Sequence, residues 1–97
     1  MKKGPKEVIT PKSYAEKRLR SLHFLNRDGQ KESIGVIMPH SYDLGVAAVR
    51  EKMIITGGSL TSNGIVYTPD SVALFFKVGE RIIFECDEPV TYRCLYG

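Results

Sequence analysis

The sequence predicts an all-β domain of the barrel or sandwich kind, and three observations carry that reading. From Leu19 onward, apolar residues recur with a period of two, which is strand periodicity rather than helix periodicity. Turn residues break the pattern at the roughly 8–12-residue spacing of sandwiches and barrels. The chain has 97 residues, enough for one core and too few for two.

The elements follow in order. Residues 1–12 are polar and basic and are interrupted by Gly4, Pro5 and Pro11, which reads as a loosely held arm. Ser13 and Glu16 stand in capping-box spacing, so a helix of at most two turns is expected over Ser13–Arg20. The basic N-terminal arm is therefore drawn as residues 1–17 and the domain as residues 18–97. Leu22 and Phe24 alternate with Ser21 and His23, and Asn26–Gly29 turns the chain with a glycine where φ is positive. Strands are expected over Glu32–Met38, Leu44–Val49 and Met53–Thr56. Ser59–Ser62 and Ile65–Tyr67 flank Asn63-Gly64, the strongest hairpin signal in the chain. Further strands are expected over Ser71–Lys77, Arg81–Cys86 and Val90–Tyr96.

Charge and composition narrow the function. Residues 1–20 carry net +5, whereas residues 21–97 carry net −2, so the pI near 9.0 belongs to the arm. A mildly acidic body argues against a nucleic-acid-binding surface. Cys86 and Cys94 lie in alternating apolar segments, where packed, reduced thiols are expected. No apolar run reaches the 18 residues of a membrane span, and no signal-peptide pattern is present, so the expected compartment is the cytoplasm.

Neither histidine suggests a metal centre. His23 and His40 are 17 residues apart, with no His-x-His pair to start a ligand set, so no metal is expected. Gly57-Gly58-Ser59 follows a strand without opening a helix and reads as a turn, not a nucleophile elbow. In Val90–Tyr96, alternation sends Tyr92, Cys94 and Tyr96 one way and Arg93 and Leu95 the other. Arg93 beside Tyr residues suits an anion or sugar site, and equally suits a surface arginine lying along half-buried tyrosines.

Read together, Arg18-Leu-Arg-Ser-Leu-His-Phe24, Glu32-Ser-Ile-Gly-Val-Ile-Met38 and Glu51-Lys-Met-Ile-Ile-Thr-Gly-Gly-Ser-Leu60 resemble the small cupins known as pyrimidine/purine nucleoside phosphorylases. The close, Asp87-Glu-Pro-Val-Thr-Tyr-Arg-Cys-Leu-Tyr96, is similar to that family's acid-Pro step and Tyr-x-Cys-x-Tyr ending. The resemblance implies a single-domain, jelly-roll-like cupin β-barrel, a homodimer, with no cofactor and no metal. It implies phosphorolysis of purine and pyrimidine nucleosides to free base and ribose 1-phosphate, with inorganic phosphate as co-substrate. The chain departs from the family at Phe76–Ile83, where a Val-Pro-x-x-Ser-x-Phe stretch has lost its proline and serine.

That chemistry needs a cation or turn amides for phosphate, a group for the ribose hydroxyls, and a base pocket. On chemical type the phosphate candidates are Arg81, Arg93 and Arg50, with Arg81 opening the strand expected beside that of Arg93. Glu80 is a candidate for ribose, and Tyr42, Tyr92 and His40 for ribose or base. The catalytic residues are left open. Two other functions fit the sequence: a catalytically silent cupin that binds a nucleoside, sugar or small anion, and an interaction module using the basic arm.

Overall fold

The computed structural model describes residues 9–14 and 18–97. Among these residues there are ten strands and no helix. In chain order they are β1 (Thr10–Tyr14), β2 (Leu19–Leu25), β3 (Lys31–Ile37), β4 (His40–Val46), β5 (Glu51–Gly57), β6 (Leu60–Ser62), β7 (Ile65–Tyr67), β8 (Leu74–Phe76), β9 (Arg81–Cys86) and β10 (Val90–Tyr96). They form two antiparallel sheets, one in the order β1-β2-β3-β10-β5-β8 and the other β4-β9-β6-β7. Apart from the β6–β7 hairpin, sequence neighbours alternate between sheets from β3 onward, as in a double-sheet jelly roll, with β1 and β2 added beside β3. The fold is all-β and cupin-like.

Four expectations are corrected. Among the described residues no ladder joins the two sheets, so the expected jelly-roll-like barrel takes the open form of two facing sheets. The helix expected over Ser13–Arg20 is absent from its described ends: Ser13 and Tyr14 belong to β1, Leu19 and Arg20 to β2, and the two pair face to face. Residues 15–17 lie outside the described residues. Part of the segment read as an arm is therefore an edge strand, Thr10–Tyr14, because pairing along β2 satisfies its backbone in a way an isolated short helix cannot.

The third correction is one of boundaries. The stretch expected over Leu44–Val49 is strand from His40 to Val46, broken in register after Asp43 where Gly45 takes φ +83°. The stretch expected over Ser71–Lys77 keeps only Leu74–Phe76, because the Ser71 hydroxyl is drawn into a turn with Thr68 O at 2.9 Å. The fourth concerns β9 and β10, which are neighbours in sequence but lie in opposite sheets.

The turns form where the sequence places them. Asn26 Oδ1 accepts from the Asp28 and Gln30 amides, both at 2.9 Å, and so closes the β2–β3 hairpin. Asn63 and Gly64 both have positive φ, as a two-residue hairpin turn between β6 and β7 requires.

The core lies between the sheets. Ile37, Met53, Ile55, Val90 and Cys94 face it from the larger sheet, and Tyr42, Leu60, Ile82 and Phe84 from the smaller. Burial of these apolar side chains is the principal drive to fold. Cys86 and Cys94 are buried, unbridged thiols. No helix among the described residues is long and apolar enough to cross a membrane.

Candidate functional site

The inward face of the larger sheet is not uniformly apolar. Alternation along β10 turns Val90, Tyr92, Cys94 and Tyr96 toward the interior. Register then decides what each one meets. Tyr92 stands opposite Gly35 of β3, which in turn stands opposite Ser21 of β2. Cys94 stands opposite Ser33, which stands opposite His23. Tyr96 stands opposite Glu51, the first residue of β5.

These rows gather seven polar or ionisable side chains. Tyr92 crosses Gly35, which has no Cβ to obstruct it, and its hydroxyl hydrogen-bonds the Ser21 side chain. Ser21 Oγ lies 2.8 Å from His23 Nε2, and the His23 ring stacks on Tyr96 at 5.6 Å. The Tyr96 hydroxyl lies 2.7 Å from Ser33 Oγ. Cys94 Sγ donates to Glu51 Oε1 at 3.7 Å. Ser21, Ser33, Tyr92 and Cys94 are buried, while His23, Glu51 and Tyr96 are half-buried. The network therefore begins in the core and reaches solvent at the Tyr96 end of β10.

Burial sets the charge state of the cluster. It lowers the pKa of His23, with the nearby charge of Lys12 acting the same way. It pushes the Tyr92 hydroxyl up to about 12, and the Cys94 thiol, with help from Glu51, also to about 12. Tyr96 moves in the same direction. Glu51 is raised as well, and the Cys94 thiol only partly offsets the effect. Every shift favours the neutral form. The cluster is a set of neutral donors and acceptors with aromatic faces and one carboxyl.

The candidates chosen by chemical type do not converge on one point. Tyr92 belongs to the interior network. Arg93 points outward, where its Nε donates to Glu32 Oε2 at 2.7 Å. Arg81 is exposed and donates to Asp43 Oδ2 from Nε at 3.1 Å and from Nη2 at 2.9 Å. Glu80 accepts the Lys77 amide with its own carboxylate at 2.6 Å, closing the β8–β9 turn. His40, opposite Cys86 at the Val90 end, packs edge-on against Tyr42, whose hydroxyl donates to the carbonyl of Met38.

Arg50 is placed differently. It directly precedes Glu51, its carbonyl accepts the Gly97 amide at 2.8 Å, and its Nη2 donates to Gly97 O at 3.3 Å. It therefore sits at the end where Tyr96 and Glu51 approach solvent, and its guanidinium donates to the Gly97 oxygen.

Ser21, His23, Ser33, Glu51, Cys94 and Tyr96 were not among the candidates. Only Cys94 and Tyr96 carry a signal in the sequence, the alternation that sets them on the same side as Tyr92, whereas Ser21, His23, Ser33 and Glu51 join them through register alone. Among the described residues, no three His, Cys, Asp or Glu side chains converge as a metal-ligand set.

The opposite face of the same sheet bears a shallow groove of about 1000 Å³ along β1, β2, β3 and β10. Leu22, Ile34 and Arg93 form one row across it, and Arg20, Val36 and Thr91 the next.

Comparison with known proteins gives the fold wide company. A protein of unknown function from Vibrio parahaemolyticus superposes with TM-score 0.77 at 26% identity, over 91% of this chain and 97% of that one. A protein of unknown function (DUF1255) from Acinetobacter sp. ADP1 gives 0.78 at 19% identity, over 95% and 93%. A chain from Thermotoga maritima described as a "predicted oxalate decarboxylase" gives 0.64 at 16% identity, over 91% of each, which shows likeness of fold alone. No curated protein matches the chain. The model of one family, described as pyrimidine/purine nucleoside phosphorylase, matches residues 9–96, nearly the whole of the described structure. By that match the chain belongs to the pyrimidine/purine nucleoside phosphorylase family.

Proposed function

We propose that this chain cleaves nucleosides by phosphorolysis, releasing the free purine or pyrimidine base and ribose 1-phosphate, at the polar network on the inward face of β2, β3, β5 and β10. The observation that carries the reading is the network itself. Seven polar side chains line a face whose plain structural role would call for apolar ones, and they open to solvent at one end. Neutral donors and acceptors suit ribose hydroxyls, and the stacked, half-buried rings of His23 and Tyr96 suit a planar base.

Phosphate needs a cation. Arg81 and Arg93 each pair with a side-chain carboxylate, whereas Arg50 stands beside Glu51 and its guanidinium donates to the Gly97 oxygen. Arg50 is the group we assign to phosphate. Loss of a charge-assisted contact costs about 1.5–3 kcal/mol, or roughly 10- to 150-fold.

The test is release of free base from inosine and uridine with and without phosphate. Phosphate-dependent release, with the phosphate KM raised by about 10- to 150-fold in Arg50→Ala, supports the reading. Release that ignores phosphate, or no release from either nucleoside, overturns it. A second reading, a silent cupin that only binds such ligands, draws on the Phe76–Ile83 segment, where Glu80 is occupied by its own turn. Nucleoside binding without base release would favour it.

A further inference from the structure

Three carboxylates of this protein are held in contrasting ways. Glu32 is buried on the outward side and receives both Arg93 and the Asn26 side-chain amide, at 2.7 and 3.0 Å. Asp43 is exposed and receives Arg81. Glu51 is half-buried at the solvent-facing end of the interior network, and what it receives is a thiol, that of Cys94. Cys94 is fully buried, so that bond is made from the core side, and the rest of the half-buried carboxyl is the part that meets solvent. Tyr96 stands opposite Glu51 across the ladder and Arg50 adjoins it in sequence. A carboxyl held by a thiol, half out of water, next to an aromatic face and a cation is a poor structural brace. It is well placed to hold and pass a proton.

We propose that Glu51 is the general acid that protonates the leaving base of purine nucleosides at this site; this rests on the phosphorolysis reading above. In the step, an oxygen of monohydrogen phosphate forms a bond to C1′ of the ribose while the C1′–N9 bond breaks. The electron pair of the broken bond moves into the purine ring, and N7 takes the proton of the Glu51 carboxyl. The hydroxyl proton of the phosphate, shed as its oxygen becomes an ester, restores Glu51. The products are neutral base and ribose 1-phosphate, with no proton gained or lost overall. Cys94 is a positioning residue that fixes Oε1 from the core side.

The experiment compares guanosine with 7-methylguanosine in the parent, Glu51→Gln and Glu51→Asp. The methylated nucleoside already carries a positive charge on its base and leaves neutral without a donated proton. General acid catalysis is worth about 10²–10⁴-fold, so Glu51→Gln is expected to slow guanosine phosphorolysis by that factor. Turnover of 7-methylguanosine is expected to fall by less than about tenfold, because the lost interaction forms only when a proton is needed. Glu51→Asp keeps a carboxyl and is expected to hold the ratio of the two rates near the parent's. Both nucleosides are assayed on one preparation, so the ratio does not depend on the fraction folded. Equal slowing of both substrates, or of neither, in Glu51→Gln overturns the proposal while leaving phosphorolysis standing. A parent that releases base from uridine but from neither guanine nucleoside overturns this assignment while leaving phosphorolysis standing, and one that releases no base from any of the three overturns the phosphorolysis reading, and this assignment with it.

Discussion

Replacing Gly35 with alanine is a sharp test of how the network is built. Gly35 lies between Ser21 and Tyr92 in register, and the Tyr92 side chain crosses it. A Cβ at that position would lie 2.5 Å from the Arg20 carbonyl oxygen, 2.5 Å from the Tyr92 hydroxyl and 2.7 Å from its Cζ. The carbonyl belongs to the backbone of β2 and cannot retreat without disturbing the ladder, and the ring is buried. Two effects compete. Alanine in place of glycine in a strand gains about 0.5–1 kcal/mol, largely through the unfolded chain. Overpacking costs about 1–3 kcal/mol, and loss of the Tyr92–Ser21 hydrogen bond adds about 0.5–1.5 kcal/mol.

Overpacking wins, for a net loss of about 1–3 kcal/mol. At about 4–8 °C per kcal/mol for a domain of this size, the melting temperature is expected to fall by roughly 5–20 °C, followed by circular dichroism. The double variant Gly35→Ala/Tyr92→Phe removes the hydroxyl but leaves the carbonyl in place, so it is expected to recover only part of the loss. A Gly35→Ala protein as stable as the parent would refute the claim that Tyr92 occupies the space of the missing Cβ.

Two further outcomes are expected. Glu32 and Glu51 should respond to pH with opposite signs. The hydrogen bond from Arg93, with that from Asn26, holds Glu32 below the ordinary carboxylate value of 4.5, so its stabilisation is complete above that value and is lost as pH falls through the folded pKa. Burial raises Glu51 above 4.5, so its cost to folding appears as pH rises past that value and is complete above the folded pKa. Glu32→Gln should therefore destabilise at pH 7 and Glu51→Gln stabilise, with both differences shrinking toward pH 3 in urea titrations; the same sign for both would contradict the assignment. Cys94 should resist iodoacetamide in the native protein, since its thiol titrates at about 12, and react on unfolding in urea, as read by mass spectrometry. Rapid native alkylation of Cys94 would show that the core side of the network is open.

Much of the fold was legible because strand period and turn chemistry are local. Asn63-Gly64 and Asn26–Gly29 turn the chain as their residue types demand, and β3, β9 and β10 lie within a residue or so of the expected segments. What was hidden depends on partners far along the chain. Ser13 and Glu16 read as a helix cap, yet the described part of that segment is strand because β2 offers a ladder to Thr10–Tyr14. Arg81 and Arg93 looked like neighbours because β9 and β10 are consecutive, and only the topology parts them into different sheets. Tyr92 was picked out by type, and the alternation of Val90–Tyr96 correctly set Arg93 apart from it. Ser21, His23, Ser33 and Glu51 gave no such cue. Single polar residues in apolar strands look like solvent-facing positions until register lines them up with Tyr92, Cys94 and Tyr96.

The place of β10 has a consequence for the order in which the chain can fold. It lies between β3 and β5, in the middle of the larger sheet, although it is the last strand to be synthesised of the ten. Until residues 90–96 arrive, β3 and β5 each lack the neighbour that completes their hydrogen bonding, and half of the inward face has no middle. The contacts that finish it close very long loops: Glu32 meets Arg93 across 61 residues and Ser33 meets Tyr96 across 63. Loop closure costs chain entropy before the contacts return any of it, and topologies rich in such contacts fold slowly. The β2–β3 and β6–β7 hairpins can form early and locally. The Tyr92–Ser21 and Tyr96–Ser33 bonds belong to the final event, so the polar network and the completed sheet should form together, in one late step.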